Sequence, residues 1–348
     1  MNTKNIFFKL TASILTLFVV ASFCVVPVSA DATESGVKVV PTGFRDVPRS
    51  HQNYVGITYL SSEGVVSGYD DGAFKPEGPI NRAEVLKIIL GGSDIQVDTE
   101  FTADFPDVDK GAWFAPYVYK AKKLGFVKGN DSDGTFTPGR QVNLAEFLKM
   151  LLSANNINSE SFKDKDLAKN VSEDEWFAPY INYAIASGMV TKDVDGNVDI
   201  GKNLTRGEVC NMMYLLSIIL KGNDTQFLLD RSEAEMAQIE VYIAANNVIF
   251  AKNSASLAVD LTQRAYKNMP DNNVVLGAAK LARSYDYLVD SFILGIQKKN
   301  TESAEWANKA IQKASEAWES NNATQPIAKH IKERSREILI QVGGEEVK

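Results

Sequence analysis

Asp71-Gly72-Ala73-Phe74-Lys75-Pro76, followed by Asn81-Arg82-Ala83-Glu84, is the stretch on which the reading of this chain turns. Its Asp-Gly pair returns as Asp133-Gly134 and Asp195-Gly196, 62 residues further on each time. The second element keeps the same step, as Asn143-Leu144-Ala145-Glu146 and Thr205-Arg206-Gly207-Glu208. Upstream of each turn lies an aromatic-Asp opening: Phe44-Arg45-Asp46-Val47, Phe105-Pro106-Asp107-Val108 and Phe162-Lys163-Asp164. Trp113-Phe114-Ala115-Pro116-Tyr117 and Trp176-Phe177-Ala178-Pro179-Tyr180 sit between the second and third openings and their turns. Self-similarity at a fixed period means a repeat architecture, so the repeat is read before any single motif.

Each unit predicts helix, Gly-containing loop, helix. Tyr117, Ala121 and Leu124 give the first helix of the second copy an apolar stripe. The Asp-Gly pair supplies a turn in which Gly tolerates positive φ. Asn81, Asn143 or Thr205 then caps the second helix, and the Glu three positions later reaches back to complete a capping box. One such unit is too small to bury its own apolar face, so three units are expected to share a core.

These landmarks resemble the S-layer homology (SLH) domain family over residues 44–220, about half the chain. The family pattern runs Phe-x-Asp-Val, Trp-Ala, Gly-Ile-x-x-Gly, Asp-Gly-x-Phe-x-Pro and Thr-Arg-Ala-Glu. The resemblance implies a pseudo-threefold assembly whose grooves bind secondary cell-wall polysaccharide, often bearing a pyruvylated sugar. Carried onto this sequence, the implied binding residues are Arg82, Arg206, Asp46, Asp107, Asp164, Trp113, Trp176, Gly68 and Gly129.

The arginines also stand out on physical grounds. A cation in the first turn of a helix opposes the macrodipole, at a cost of up to ~1 kcal/mol when exposed. Free N–H groups at that end would favour an anion. Arg82 and Arg206 therefore read either as a grip on a carboxylate or as partners of a structural acid such as the opening Asp. The tryptophans read as sugar-stacking faces or as plugs between helices, with the plug favoured.

No copy carries the whole pattern. Repeat 1 has Gln52 where the others place Trp, repeat 2 has Leu144 in place of Arg, and repeat 3 has Lys192, Val198 and Ile200 in place of loop Gly, Phe and Pro. One or two competent grooves are expected, with the Leu144 position the one that has lost anion binding. Asp131-Ser132-Asp133-Gly134 looks like the start of a calcium loop, but Val142 stands where the closing Glu belongs, so a plain turn is favoured.

Residues 1–30 read as a secretory signal: Lys4 and Lys9, an uncharged run from Leu10 to Val26, then Val28-Ser29-Ala30 for cleavage before Asp31. An uncleaved membrane anchor is the rival; after cleavage no membrane span is expected. Phe23 before Cys24 speaks against a lipoprotein. Losing Lys4 and Lys9 leaves 35 basic and 44 acidic residues, a net charge of −9. Nucleic-acid binding has little support in that balance. Cys210 would be the one remaining thiol, read as buried. With only His51 and His330 beside it, zinc sites and Cys/His catalysis lack ligands, and no cofactor is expected.

After Lys221-Gly222-Asn223-Asp224 the pattern changes to continuous helix. Leu229, Met236, Ile239, Ile243 and Phe250 form one stripe, and Ser254 reads as the cap of a short helix bearing Ala258 and Leu261. Pro270-Asp271-Asn272 opens a longer helix with Ala278, Leu281, Tyr285, Leu288, Phe292 and Ile296. Asn300 opens one with an Ala307, Ala310, Ala314 and Ala317 seam, and Pro326 a last one.

The predicted fold is mainly α: three helix-loop-helix repeats in a pseudo-threefold assembly, then an antiparallel α-helical bundle. The segments are signal 1–30, linker 31–43, repeats 44–98, 99–158 and 159–220, linker 221–226 and bundle 227–342. The function expected is a non-catalytic, secreted cell-wall protein, anchored by its repeats, with the bundle as spacer or partner-binding module. A wall-anchored enzyme active in the bundle, and repeats that bind protein in place of sugar, are the competing readings.

Overall fold

The computed structural model describes residues 43–347 apart from 99, 102–104 and 166. The leader and nearly all of the 31–43 linker lie outside the described residues. The described residues fall into two compact units, one of residues 43–220 and the other of residues 221–347. Among the described residues both are helical, and no helix is long and apolar enough to cross a membrane.

The repeat unit contains α1 (Tyr54–Ser62), α2 (Arg82–Gly92), α3 (Ala115–Lys123), α4 (Leu144–Ala154), α5 (Ala178–Ala186) and α6 (Arg206–Leu220). The second helix of each repeat packs on the first helix of the next: α2 on α3, α4 on α5, and α6 back on α1. Short antiparallel bridges join the repeats in the same rotation, Asn81 with Gln141, Asn143 with Asn203 and Thr205 with Pro79. At their centre three backbone bonds form a closed cycle. Ile80 N–H donates to Leu204 O (3.2 Å), Leu204 N–H to Val142 O (2.9 Å) and Val142 N–H to Ile80 O (3.4 Å). These three side chains, each a single apolar residue supplied per repeat, are buried. A repeat that cannot cover its own apolar face is thus completed by two neighbours.

The capping boxes form as the spacing requires. Asn81 and Asn143 accept from the N–H of Glu84 and Glu146, whose carboxylates reach back to the cap N–H. Thr205 N–H donates to the Glu208 carboxylate at 3.0 Å, and Glu208 N–H to the Thr205 hydroxyl at 3.3 Å. The stripe on α3 differs from its expected form. Ala115, Val118 and Ala121 are buried, while Leu124 follows the helix and is 50% exposed.

The second unit contains α7 (Thr225–Ala244), α8 (Val248–Asn268), α9 (Asn273–Ile296), α10 (Asn300–Ser320) and α11 (Gln325–Val342). Consecutive helices pack on each other, and α11 also reaches α9. Connections of three or four residues favour antiparallel neighbours. Two boundaries depart from the sequence expectation. α8 begins at Val248, so Phe250 belongs to it and not to the preceding stripe. Ser254 lies buried within α8 and caps nothing; the true break is at Ala245–Asn247, where Asn246 takes φ of 55°.

The Ala seam of α10 faces the core, with Ala307, Ala310, Ala314 and Ala317 fully buried. Small side chains there let α9 and α10 approach until Ser284 Oγ donates to Ala310 O at 2.8 Å. Ser291 and Ser303 hydroxyls likewise donate to each other's carbonyls at 2.8 Å. Two buried polar groups are paired: His330 Nε2 lies 2.9 Å from Glu240, and Asp286 lies 2.7 Å from the Lys252 ammonium.

Candidate binding grooves at the repeat junctions

The sites are built across repeats. Asp46 turns its carboxylate onto the loop of its own repeat, accepting from Phe74 N–H and Lys75 N–H, both at 2.7 Å. The peptide group joining those two residues is bonded at its other end as well. Its carbonyl, Phe74 O, accepts from Nε of Arg206 at 3.0 Å, and Arg206 comes from the third repeat. Asp107 does the same in repeat 2, accepting from Phe136 N–H (2.7 Å) and Thr137 N–H (2.6 Å). Phe136 O accepts from Nε of Arg82, of the first repeat, at 3.0 Å.

Turning the peptide this way puts Lys75 and Thr137 at φ of 58° and 57°. That left-handed conformation is costly for side chains of this kind, and the bonds at both ends of the peptide hold it. Each guanidinium also lies over the loop ring, 4.7 Å from Phe136 for Arg82 and 4.6 Å from Phe74 for Arg206.

One part of the sequence argument is overturned. The free helix N-terminus invoked for anion binding is occupied by protein. Arg82 N–H donates to Arg140 O, Ala83 N–H to Pro138 O, and Glu84 N–H to the Asn81 cap. α4 and α6 are closed likewise onto Lys202, Ile200, Gly78 and Pro76 carbonyls. Charge at this end must come from the arginine side chains. The two readings of the Arg are joined in one arrangement, since the opening Asp pairs with it through a peptide and leaves part of the guanidinium over.

Arg82 is half-buried. Burial, with the like charge of Arg140 second, lowers its pKa from the ordinary value, while Glu146 and Asp107 act against this. Arginine stays charged regardless. Arg206 donates its Nη2 to Ser67 O as well, at 3.2 Å, so more of its fork is used within the protein. For Arg82 only Nε has a partner among the described residues.

Gly68 and Gly129 are needed for close approach. A Cβ on Gly68 would come within 2.6 Å of the Phe44 ring, and one on Gly129 within 2.6 Å of Gly134 O and 3.2 Å of Phe105. Beside Gly129 an open pocket of about 470 Å³ is lined by Phe105, Lys122, Val127, Asn130 and Gly134. Lys122 stands over Phe105 at 4.5 Å.

The tryptophans are not plugs. Trp113 and Trp176 are 55% and 51% exposed, each edge-on to the following Phe. Each is neighboured by a lysine of the preceding repeat, Lys87 at 5.8 Å and Lys149 at 5.2 Å.

Asp164 is not the third member of the Asp46 and Asp107 set. It is exposed and remote in register, and Asn170 takes that place, bonded to Val198 as Asp46 is to Phe74. Lys169 N–H donates to Gly196 O as Arg45 N–H does to Gly72 O. The sequence reading missed this because the third opening, Ala168-Lys169-Asn170-Val171, keeps neither the aromatic nor the acid. The spacing from Asp107 was the remaining signal.

Completeness is therefore a property of the junction. The junction of repeats 1 and 2 has Arg82, Asp107, Gly129, Phe136, Trp113 and Lys87. The junction of repeats 3 and 1 has Arg206, Asp46 and Gly68, with Gln52 for Trp. The junction of repeats 2 and 3 has Trp176 and Lys149 but Leu144, Asn170 and Lys192. One junction is whole although no copy is.

A closed threefold ring of helix-loop-helix repeats, with each junction shared by two copies, is the class of protein that this unit defines. The family model of the S-layer homology domain matches residues 43–86, 104–148 and 171–210, and the chain carries three such domains. Over 225 residues it is 28% identical to an uncharacterized cell wall amidase of Bacillus anthracis, covering 65% of this chain and 39% of that protein. Over 186 residues it is 30% identical to an S-layer protein of Bacillus anthracis, covering 52% of this chain and 21% of that one. A cellulosome-anchoring protein of Acetivibrio thermocellus is 29% identical over 112 residues, covering 31% and 25%. The chain spans well under two thirds of the length of each of these relatives. The three domains and the S-layer relatives make it a secreted protein of the cell wall and cell surface.

Proposed function

We propose that the repeats hold the protein on secondary cell-wall polysaccharide, chiefly at the junction of repeats 1 and 2. The observation that carries this reading is Arg82. Its Nε is fixed to Phe136 O, and its terminal nitrogens have no partner among the described residues, in a half-buried setting. Such a fork suits a carboxylate bidentately, and a pyruvyl ketal on a sugar supplies one. Trp113 and Lys87 at the same junction offer an exposed ring and a second cation for the rest of the glycan. The junction served by Arg206 is the second, weaker site. The anchoring role is non-catalytic, and the helical unit is a spacer or a protein-binding module.

Co-sedimentation with purified wall, before and after removal of its polysaccharide, tests the proposal. Binding lost with the polymer supports it, and binding that survives its removal moves the interaction to protein or peptidoglycan. The likeness to a cell wall amidase favours a second reading, a wall-anchored enzyme active in the helical unit. Release of free amines from peptidoglycan by the purified chain would establish it.

A further inference from the structure

The third junction departs from the other two at six places, and four of the departures are paired. Leu144 carries no donor, so the loop carbonyl that Arg82 and Arg206 satisfy elsewhere would be left without that partner. Asn170 supplies it: Oδ1 accepts from Val198 N–H at 3.0 Å, and Nδ2 donates to Val198 O at 2.8 Å. An ionised Asp accepts only and could not do both.

The loop is also differently turned. Asp199 is not among the residues at positive φ, unlike Lys75 and Thr137, and Ile200 N–H donates to Val198 O at 3.0 Å. The second pair is Lys192 with Ala168. A side chain at Gly68 would strike Phe44, and Lys192 stands in the corresponding place where the aromatic has become Ala168. Leu144 itself is 7% exposed.

We infer that the junction of repeats 2 and 3 is sealed by compensating exchanges, with Asn170 taking over the Arg bond and the first of the two Asp bonds, so that binding capacity is set by the Leu144–Asn170 pair and stands at two grooves. The inference rests on the reading that Arg–Asp junctions hold wall polymer. It follows that Leu144→Arg alone cannot open the groove, because Asn170 already occupies the carbonyl the Arg must hold.

Two measurements test this. Thermal unfolding of Asn170→Asp should show a midpoint lower by about 2–6 °C, because a carboxylate then faces Val198 O. Adding Leu144→Arg should recover that loss. In an Arg82→Ala, Arg206→Ala background, the paired exchange Leu144→Arg with Asn170→Asp should raise retention on purified wall polysaccharide about tenfold. Either single exchange should not. An unchanged midpoint for Asn170→Asp, or recovery of binding by Leu144→Arg alone, would overturn the inference. If the unaltered chain is not retained by the polysaccharide while the two exchanges still couple in the melt, the seal stands and the polysaccharide reading falls.

Discussion

Arg82 and Asp107 hold opposite ends of one peptide group. The Phe136–Thr137 peptide gives its N–H to the Asp107 carboxylate and its carbonyl to Nε of Arg82. An acid and a base from successive repeats are thereby tied through backbone, and the base keeps its terminal nitrogens for something else.

The two arginines should not weigh equally in anchoring. Arg82→Ala is expected to weaken polysaccharide binding about tenfold or more, by loss of a charge-assisted contact. Arg206→Ala should have a smaller effect, since its Nη2 is already spent on Ser67 O. Arg82→Lys should recover little, because an ammonium cannot both hold Phe136 O and present a fork. Dissociation constants for the three variants, each checked for an unchanged fold by circular dichroism, decide the order.

Trp113 and Trp176 have matching exposure, so their loss should cost similar and small amounts of stability. Their effects on binding should differ. Trp113→Ala removes a ring from a junction that has its Arg and Asp, and weakens binding. Trp176→Ala, at the junction with Leu144, leaves it unchanged. Equal effects on polymer affinity would show that the rings act without the charged pair.

Acid should loosen the repeat unit partly through Asp46. Burial works to raise its pKa, but the N–H groups of Phe74 and Lys75 outweigh this and hold the carboxyl below the ordinary value of 3.8. A depressed folded pKa contributes stability that is present above the unfolded value and lost as pH falls through the folded one. The thermal midpoint should therefore drop below about pH 4, and Asp46→Asn should flatten that part of the profile. A variant profile as steep as that of the unaltered chain would rule out this carboxyl as a contributor.

Gly129→Ala should destabilise the unit by about 1–3 kcal/mol, since the added methyl meets backbone at Gly134 O. Lys192→Ala, at the corresponding place in repeat 3, should be close to neutral in chemical denaturation.

The period of 62 residues and the capping boxes were legible because they are local: turn chemistry and N-caps act within a few residues. The helical second unit was legible from apolar stripes, though Ser254 misplaced one boundary, a Ser in a helix interior being indistinguishable from a cap by type alone. Comparison within copies made every repeat look deficient, as Arg82 and Trp113 belong to different copies but one junction. Asn170 escaped notice because its opening, Ala168-Lys169-Asn170-Val171, has lost both the aromatic and the acid, and its partner Val198 lies 28 residues on. Separation along the chain likewise hid the occupied helix N-termini, whose partners Arg140 O and Pro138 O lie over fifty residues away.

The bond from Ile80 N–H to Leu204 O closes a circle that the chain itself leaves open. Shortening the protein by its third repeat would not simply remove the silent junction. It would take away Arg206, strip α1 of its partner helix, and leave two unmatched ends in place of one ring. A circular permutant of the repeat unit that starts at repeat 2 and ends with repeat 1 would keep all three junctions. What the ring requires is all three repeats in this cyclic order, whichever of them comes first along the chain.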